Sequence, residues 1–289
     1  MTHVELAPAK INLSLRVLNR REDGFHEIET LMVALCGIED EISYGLSAGG
    51  GGVKLMCDDP VLPVGEDNLI MRALRLFSAR VGEEFCGDIE LKKRIPSGAG
   101  LGGGSSDAAA TLRALNRISG AALDAADLRE IAGEIGADVA FFIKPEPSLC
   151  KGKGEVVIPY PGEIPDREVF LLKPAFSVAT AWAYSRWEHP GSIPGLNHSP
   201  QSLPGVDLIN DLERPVFTKH LVLAAMKTWL LDQPEVEFGM MSGSGSTLFS
   251  LLHEGSDASE LRQRAVAEFG ESSWDACARI GGGAQRLGA

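Results

Sequence analysis

The segment Pro96-Ser97-Gly98-Ala99-Gly100-Leu101-Gly102-Gly103-Gly104-Ser105-Ser106-Asp107 constrains this chain more than any other. An apolar, strand-like run, Asp88–Ile95, leads into it. An alanine-rich stretch from Ser105 to Ser119 leads out, with Ala108, Thr111, Leu112, Leu115 and Ile118 on one helical stripe. Glycines let successive backbone N–H groups converge on one point with no Cβ in the way. The outgoing helix aims its free N–H groups and its dipole at the same point. Ser105 and Ser106 stand where they can cap that helix or donate to phosphate oxygens. Strand, glycine loop and helix together describe a polyphosphate cradle; a flexible linker would lack so tight a frame.

Two familiar phosphate loops do not fit. Gly98-x-Gly100-x-x-Gly103 satisfies the dinucleotide pattern, but no strand ending in an acid follows some twenty residues on, because Asp124 and Asp127 open a helix. The P-loop pattern needs Gly-Lys-Ser/Thr, and this loop holds no lysine.

At 289 residues, 44% hydrophobic and 23% charged, the chain can bury one large core or two modest ones. Its net charge of −13 argues against nucleic acid as a partner, while leaving room for a small anion in a local pocket. The cysteines (Cys36, Cys57, Cys86, Cys150, Cys277) are scattered and odd in number, which fits reduced thiols. No segment approaches the ~18 apolar residues needed to span a bilayer. A soluble, cytoplasmic protein without a membrane partner is expected.

Alternation and apolar runs predict strands at Val4–Ala7, Ile11–Leu18, Ile28–Leu35, Glu41–Leu46, Val53–Met56, Val169–Leu172, Val236–Met240 and Thr247–Leu252. Helices are predicted after Asp67 (Leu69, Ala73, Leu76 and Phe77 on one face), over Asp124–Ile135 with Gly136 as a left-handed cap, and at Ala181–Trp187, Lys219–Leu231 and Ala258–Phe269. Pro159–Pro165 reads as a turn region and Pro190–Pro204 as a loop. The expectation is an α+β chain of two domains, residues 1–155 and 156–289.

Pro-x-x-Ala-Gly-Leu-Gly-Gly-Gly-Ser-Ser resembles the signature of the GHMP kinases, the superfamily of galactokinase, homoserine kinase and mevalonate kinase. Two further stretches share the resemblance: Ala7-Pro8-Ala9-Lys10-Ile11-Asn12-Leu13 near the N-terminus, and Met241-Ser242-Gly243-Ser244-Gly245-Ser246 near the C-terminus. Asp23-Gly24-Phe25-His26, Asp67-Asn68-Leu69-Ile70 and Gly136-Ala137-Asp138-Val139 resemble one branch, whose substrate is a small alcohol linked to cytidine diphosphate. The resemblance covers essentially the whole chain and thins between Trp187 and Lys219.

The resemblance implies a two-domain GHMP fold and the transfer of a phosphoryl group from ATP, with Mg²⁺, to a hydroxyl. It implies Asp138 as base and Lys10 as its partner. Pro96, Ser97, Gly98, Ala99, Gly100, Leu101, Gly102, Gly103, Gly104, Ser105 and Ser106 would hold the phosphates, and Asn68 would lie near the adenine. Phe25, His26 and Tyr184 would form the cytosine pocket, with Asn12 and Thr180 on the remaining hydroxyls and the diphosphate. Tyr184 and Phe25 depart from the branch's usual aromatic choices, but either ring can stack on a base. Ser105 is the candidate for the metal. Asp107 would repel phosphate if it faced the cradle, so it is expected to cap the helix or reach the metal through water.

Taken without the resemblance, the residues carry blander readings. Asp138 could be an ordinary turn aspartate. A lysine such as Lys10 inside an apolar strand is usually an edge or outward-facing residue, a lone His26 a surface histidine, and Lys151-Gly152-Lys153-Gly154-Glu155 a solvated turn or an extra phosphate contact. A homoserine or mevalonate kinase, or a non-catalytic nucleotide-binding relative, are the competing readings. Phe25-His26 would serve no purpose for an acid lacking a base, and a dead relative should have lost Lys10 or Asp138.

Overall fold

Two long, mostly apolar strands organise the molecule. The computed structural model describes residues 2–188, 191, 193, 195–196, 198–270 and 274–280. In chain order the strands are β1 (His3–Arg20), β2 (His26–Ala48), β3 (Gly52–Cys57), β4 (Phe85–Lys92), β5 (Ser148–Gly152), β6 (Val156–Pro159), β7 (Arg167–Lys173), β8 (Gln201–Leu203), β9 (Val206–Asn210), β10 (Val236–Met241), β11 (Leu248–Leu252) and β12 (Trp274–Ile280). The helices are α1 (Leu69–Val81), α2 (Gly103–Ser119), α3 (Ala125–Ile135), α4 (Val139–Ile143), α5 (Thr180–Ser185), α6 (Glu213–Lys219), α7 (Leu221–Leu231) and α8 (Ala258–Phe269). The α+β class is as expected.

The hairpin of β1 and β2 is antiparallel along nearly its full length. One edge of β2 serves three partners in succession: β5 at residues 28–32, β12 at Cys36 and β4 at residues 41–48. The main sheet path runs β10-β11-β7-β12-β2-β1-β9-β8. Residue 155 falls in the turn between β5 and β6.

Each strand pair expected in the first 48 residues is one bent strand. The predicted breaks are bulges: register shifts lie between Pro8 and Lys10 and between Asn12 and Ser14, while β2 bends at Gly37, whose φ is +99°. Residues 7–13 of β1 are buried without alternation, because helices α1–α4 cover one face of the hairpin and the sheet of β7, β11 and β12 packs near the other. Lys10 is therefore a buried side chain, 3% exposed, and not an outward-facing one.

Other boundaries differ for local reasons. β4 ends at Lys92 and not Ile95, since the Asp40 carboxylate takes the N–H groups of Arg94 and Ile95 (2.6 and 2.9 Å) away from any ladder. Gly136 closes α3 in extended backbone, φ −178°, and not as a left-handed cap. The helix expected over Lys219–Leu231 is α7, which starts at Leu221; α6, which was not expected, precedes it and ends at Lys219, with His220 between them. Strands β5, β6, β8, β9 and β12 were not anticipated; β8 lies inside the presumed 190–204 loop, of which residues 190, 192, 194 and 197 fall outside the described residues.

One buried ion pair braces the C-terminal half. Lys227 on α7 donates to Glu213 on α6 at 2.6 Å, and the other Glu213 oxygen accepts the N–H of Met241 at 2.9 Å, just before the second glycine turn. Burial pushes the Glu213 carboxyl above its usual range, against the pull of Lys227. Removing one partner of such a pair strands the other charge. Lys227→Met should destabilise the fold by about 3–5 kcal/mol in chemical denaturation. Lys227→Met with Glu213→Gln, which keeps an acceptor for Met241, should recover most of that loss.

Candidate active site

The glycine segment, β1 and the second glycine turn meet through backbone. The N–H of Lys10 donates to Leu101 O at 2.9 Å, Thr247 N donates to Ala99 O at 3.1 Å, and Ser242 Oγ donates to Gly100 O at 2.9 Å. Gly100 has φ +80°, and a Cβ there would lie 2.3 Å from Ser242 O and 3.0 Å from Gly245 O. Only glycine permits that approach. Gly102, φ +73°, precedes α2 as its cap and faces the Phe142 ring and the Lys10 stem.

These elements wall a cavity of about 1080 Å³. One end is lined by Pro96, Ser97, Gly98, Ala99, Gly100, Gly102, Gly103, Gly104 and Ser105, the other by Phe25, His26, Thr180 and Tyr184, with Lys10, Asn12 and Asp138 between. Volumes of 300–1,000 Å³ suit one small ligand, so this cavity is large enough for two in contact.

At the centre, Lys10 Nζ stands 3.4 Å from Asp138 Oδ2 and donates to Asn12 Oδ1 at 2.6 Å. Asn12 Nδ2 in turn donates to Thr30 Oγ1 at 2.8 Å. Asn12 thus orients the lysine before it can meet a ligand, a role the sequence did not suggest. The Asp138 side chain is one-third exposed, facing the cavity, while every residue of the following helix α4 is buried. The apolar run Val139–Ile143 anchors the carboxylate's backbone in the core, so its position is fixed while its oxygens stay accessible.

Three residues expected to contact the nucleotide do not line the cavity. Asn68 caps α1: its Oδ1 accepts the Ile70 N–H at 2.9 Å and its Nδ2 reaches Pro63 O at 2.7 Å, and it does not line the cavity. Leu101 is a core residue, 1% exposed. The Ser106 N–H is taken by Gly102 O and its hydroxyl is buried without a partner, so it neither caps α2 nor reaches the cavity. Nor does Asp107 cap α2. It is buried beneath the helix, 3.0 Å from Lys93, which also pairs with Asp40 at 2.5 Å. Burial pushes the Asp107 carboxyl up to about 8, against the pull of Lys93. Lys93 and Asp40 escaped the sequence reading, although the run Lys92-Lys93-Arg94 directly before the loop was a usable signal.

At the far end Tyr184 stacks on His26, with ring centroids 5.4 Å apart and 28° between planes, and Trp187 meets His26 edge-on at 6.0 Å. Phe25 is 58% exposed, with Lys153 Nζ 4.9 Å above its ring. Lys151 is the solvated residue of its turn, paired with Glu29 at 3.0 Å; Lys153 lines the cavity. Thr180 Oγ1 lies 2.8 Å from Ser244 Oγ, joining α5 to the second glycine turn. No cluster of three potential metal ligands occurs among the described residues.

Residues 68–145 match the GHMP kinases N terminal domain. A homoserine kinase from Cytophaga hutchinsonii shares the fold at 20% identity, with TM-score 0.65 over 96% of this chain and 95% of its own. The chain thus has the architecture of a GHMP kinase. A crystal structure of 4-(cytidine 5'-diphospho)-2C-methyl-D-erythritol kinase superposes with TM-score 0.77 at 32% identity, over 97% of this chain and all of the other. The 4-diphosphocytidyl-2-C-methyl-D-erythritol kinase of Methylacidiphilum infernorum is 39% identical across 93% of each chain, and that of Syntrophotalea carbinolica 38% identical across 94% of this chain and 96% of its own. The chain belongs to the 4-diphosphocytidyl-2-C-methyl-D-erythritol kinase family.

The glycines can be separated by experiment. A Cβ at Gly103 would strike Ile95 and crowd Lys93, whereas at Gly104 the nearest described atom is Leu69 Cδ1 at 3.6 Å and the side chain enters the cavity. Gly104→Val should therefore weaken ATP binding tenfold or more in calorimetry while the melting temperature stays within a few degrees. Gly100→Ala should lower both.

Proposed function

We propose that this chain transfers the γ-phosphoryl group of ATP to the 2-hydroxyl of 4-diphosphocytidyl-2-C-methyl-D-erythritol, a step of non-mevalonate isoprenoid precursor synthesis. Residues 1–155 supply the ATP loop and the catalytic pair, and residues 156–289 complete the substrate site. The observation that carries this reading is the Lys10–Asp138 pair, 3.4 Å apart, between a glycine cradle and an aromatic–histidine cluster in one cavity.

Phosphoryl transfer asks for positioning, charge stabilisation and an acceptor for the hydroxyl proton. In this reading Asp138 accepts that proton. Lys10, held by Asn12 and 3.4 Å from the carboxylate, stabilises the charge that develops in the transfer. The backbone of residues 96–104 and the start of α2 receive the polyphosphate. Mg²⁺ bound to ATP phosphates would neutralise part of their charge. The half-buried Ser105 hydroxyl on the cavity wall suits an ion that keeps phosphate and water ligands and takes little from protein. Phe25 and Tyr184 offer faces for the cytosine, and His26 a donor and an acceptor for its edge.

Two measurements check this. Asp138→Asn should cut kcat by about 10²- to 10⁴-fold while both KM values stay within severalfold, since charge and basicity go and shape remains. A near wild-type rate would make Asp138 a structural residue. The wild type should prefer the cytidine compound over its uridine analogue by tenfold or more, because a mismatched buried polar group costs ~1–3 kcal/mol. His26→Ala should erase most of that preference through KM. Equal use of both analogues, or turnover of homoserine instead, would refute the substrate.

A further inference from the structure

The cavity must hold polyphosphate in a chain of net charge −13, and its wall carries the cations Lys10, Arg20, Arg72 and Lys153. Lys10 is engaged with Asp138 and Asn12. Arg20 pairs in register with His26 across the hairpin, and Lys153 covers Phe25, so both belong to the aromatic end. That leaves Arg72, which α1 places beside the first turn of α2.

Its placement is specific. Arg72 lies three residues after Leu69 on α1, so both share the face turned to the cavity, and Leu69 Cδ1 is the nearest described neighbour of a side chain built at Gly104, in the first turn of α2. From there its guanidinium reaches across to donate one of its N–H groups to Glu134 O. Glu134, Ile135, Gly136 and Ala137 line the same wall and lead directly to Asp138. Among the described residues neither Arg72 nor Arg20 of this wall forms an ion pair, whereas Arg21, Arg80, Arg94, Arg113 and Arg117 all do. A cation left unpaired beside a helix N-terminus, on the wall between cradle and catalytic carboxylate, suits a charge that arrives with the ligand.

We propose that Arg72 binds the γ-phosphoryl group of ATP, holding it between the start of α2 and Asp138. Planar guanidinium suits phosphate oxygens through paired N–H donors, and an arginine on the transferring phosphoryl stabilises its transition state. The inference rests on the kinase reading above. The bond to Glu134 O gives the guanidinium a second task, aligning the segment that carries Asp138 with the group to be transferred.

The test separates charge from bracing. Arg72→Gln retains a donor for Glu134 O and loses the cation; Arg72→Lys retains the cation and loses the fork. Affinities for ADP and for a non-hydrolysable ATP analogue, both with Mg²⁺, are measured by calorimetry alongside melting temperatures. For Arg72→Gln the analogue's Kd should rise about tenfold or more while that of ADP stays within twofold, with kcat down about a hundredfold and KM for the cytidylyl substrate unchanged. Arg72→Lys should recover part of the loss. Affinities for the analogue and ADP that move together, or that stay at wild-type values, would reduce Arg72 to a brace for α3 and overturn the proposal. A wild type that binds neither nucleotide would instead sink the kinase reading itself.

Discussion

Lys10 is the constraint around which the molecule is arranged. An ammonium group almost wholly removed from water is costly unless it is matched by charge and hydrogen bonds. Its partners come from separate parts of the fold: Asn12 from two residues along β1, Asp138 from the start of α4, and its own N–H bound to Leu101 O in the glycine segment. A bulge on each side frees β1 from strict alternation and lets seven consecutive residues be buried. The same stretch joins the hairpin to the glycine segment, so the strand that carries the lysine also fixes the cradle.

Buried charge recurs at each glycine turn. Beneath α2, Lys93 lies between Asp40 and Asp107, and Asp40 also binds the two N–H groups before Pro96. Beside the second turn, Glu213 holds Met241 N, and Asn210 donates to Met241 O and Gly243 O, each at 2.7 Å. Glycines leave backbone soft by nature. These anchors lie mostly at the edges of the turns and take up part of that freedom.

Much of this was legible in the sequence because it is local. The glycine segment, the Lys10 strand, the Asp138 turn and the aromatic–histidine pair are short motifs, and each lines one cavity in the fold. What escaped depends on distant partners. Nothing near Asp107 in sequence announces Asp40, fourteen residues before which β1 and β2 are still closing their hairpin at Arg20 and His26. Asn68 reads as a ligand contact from its motif, yet its side-chain oxygen caps α1, because a helix begins there and needs an acceptor for Ile70 N. Strand β12 was missed because it pairs chiefly with β7, a hundred residues earlier, and its exposed side reads as polar.

The close approach at Gly100 has an evolutionary consequence. The atoms that exclude a Cβ there are the carbonyls of Ser242 and Gly245, so no side-chain exchange elsewhere can open the space. A lineage descending from this chain can vary the residues around that junction, but it has no second-site suppressor to draw on at the junction itself. Drift is left to the rim, where Phe25 stands largely in solvent and a change of ring disturbs no neighbouring backbone. A fold built this way would hold its phosphate chemistry constant over long divergence while its choice of acceptor wanders.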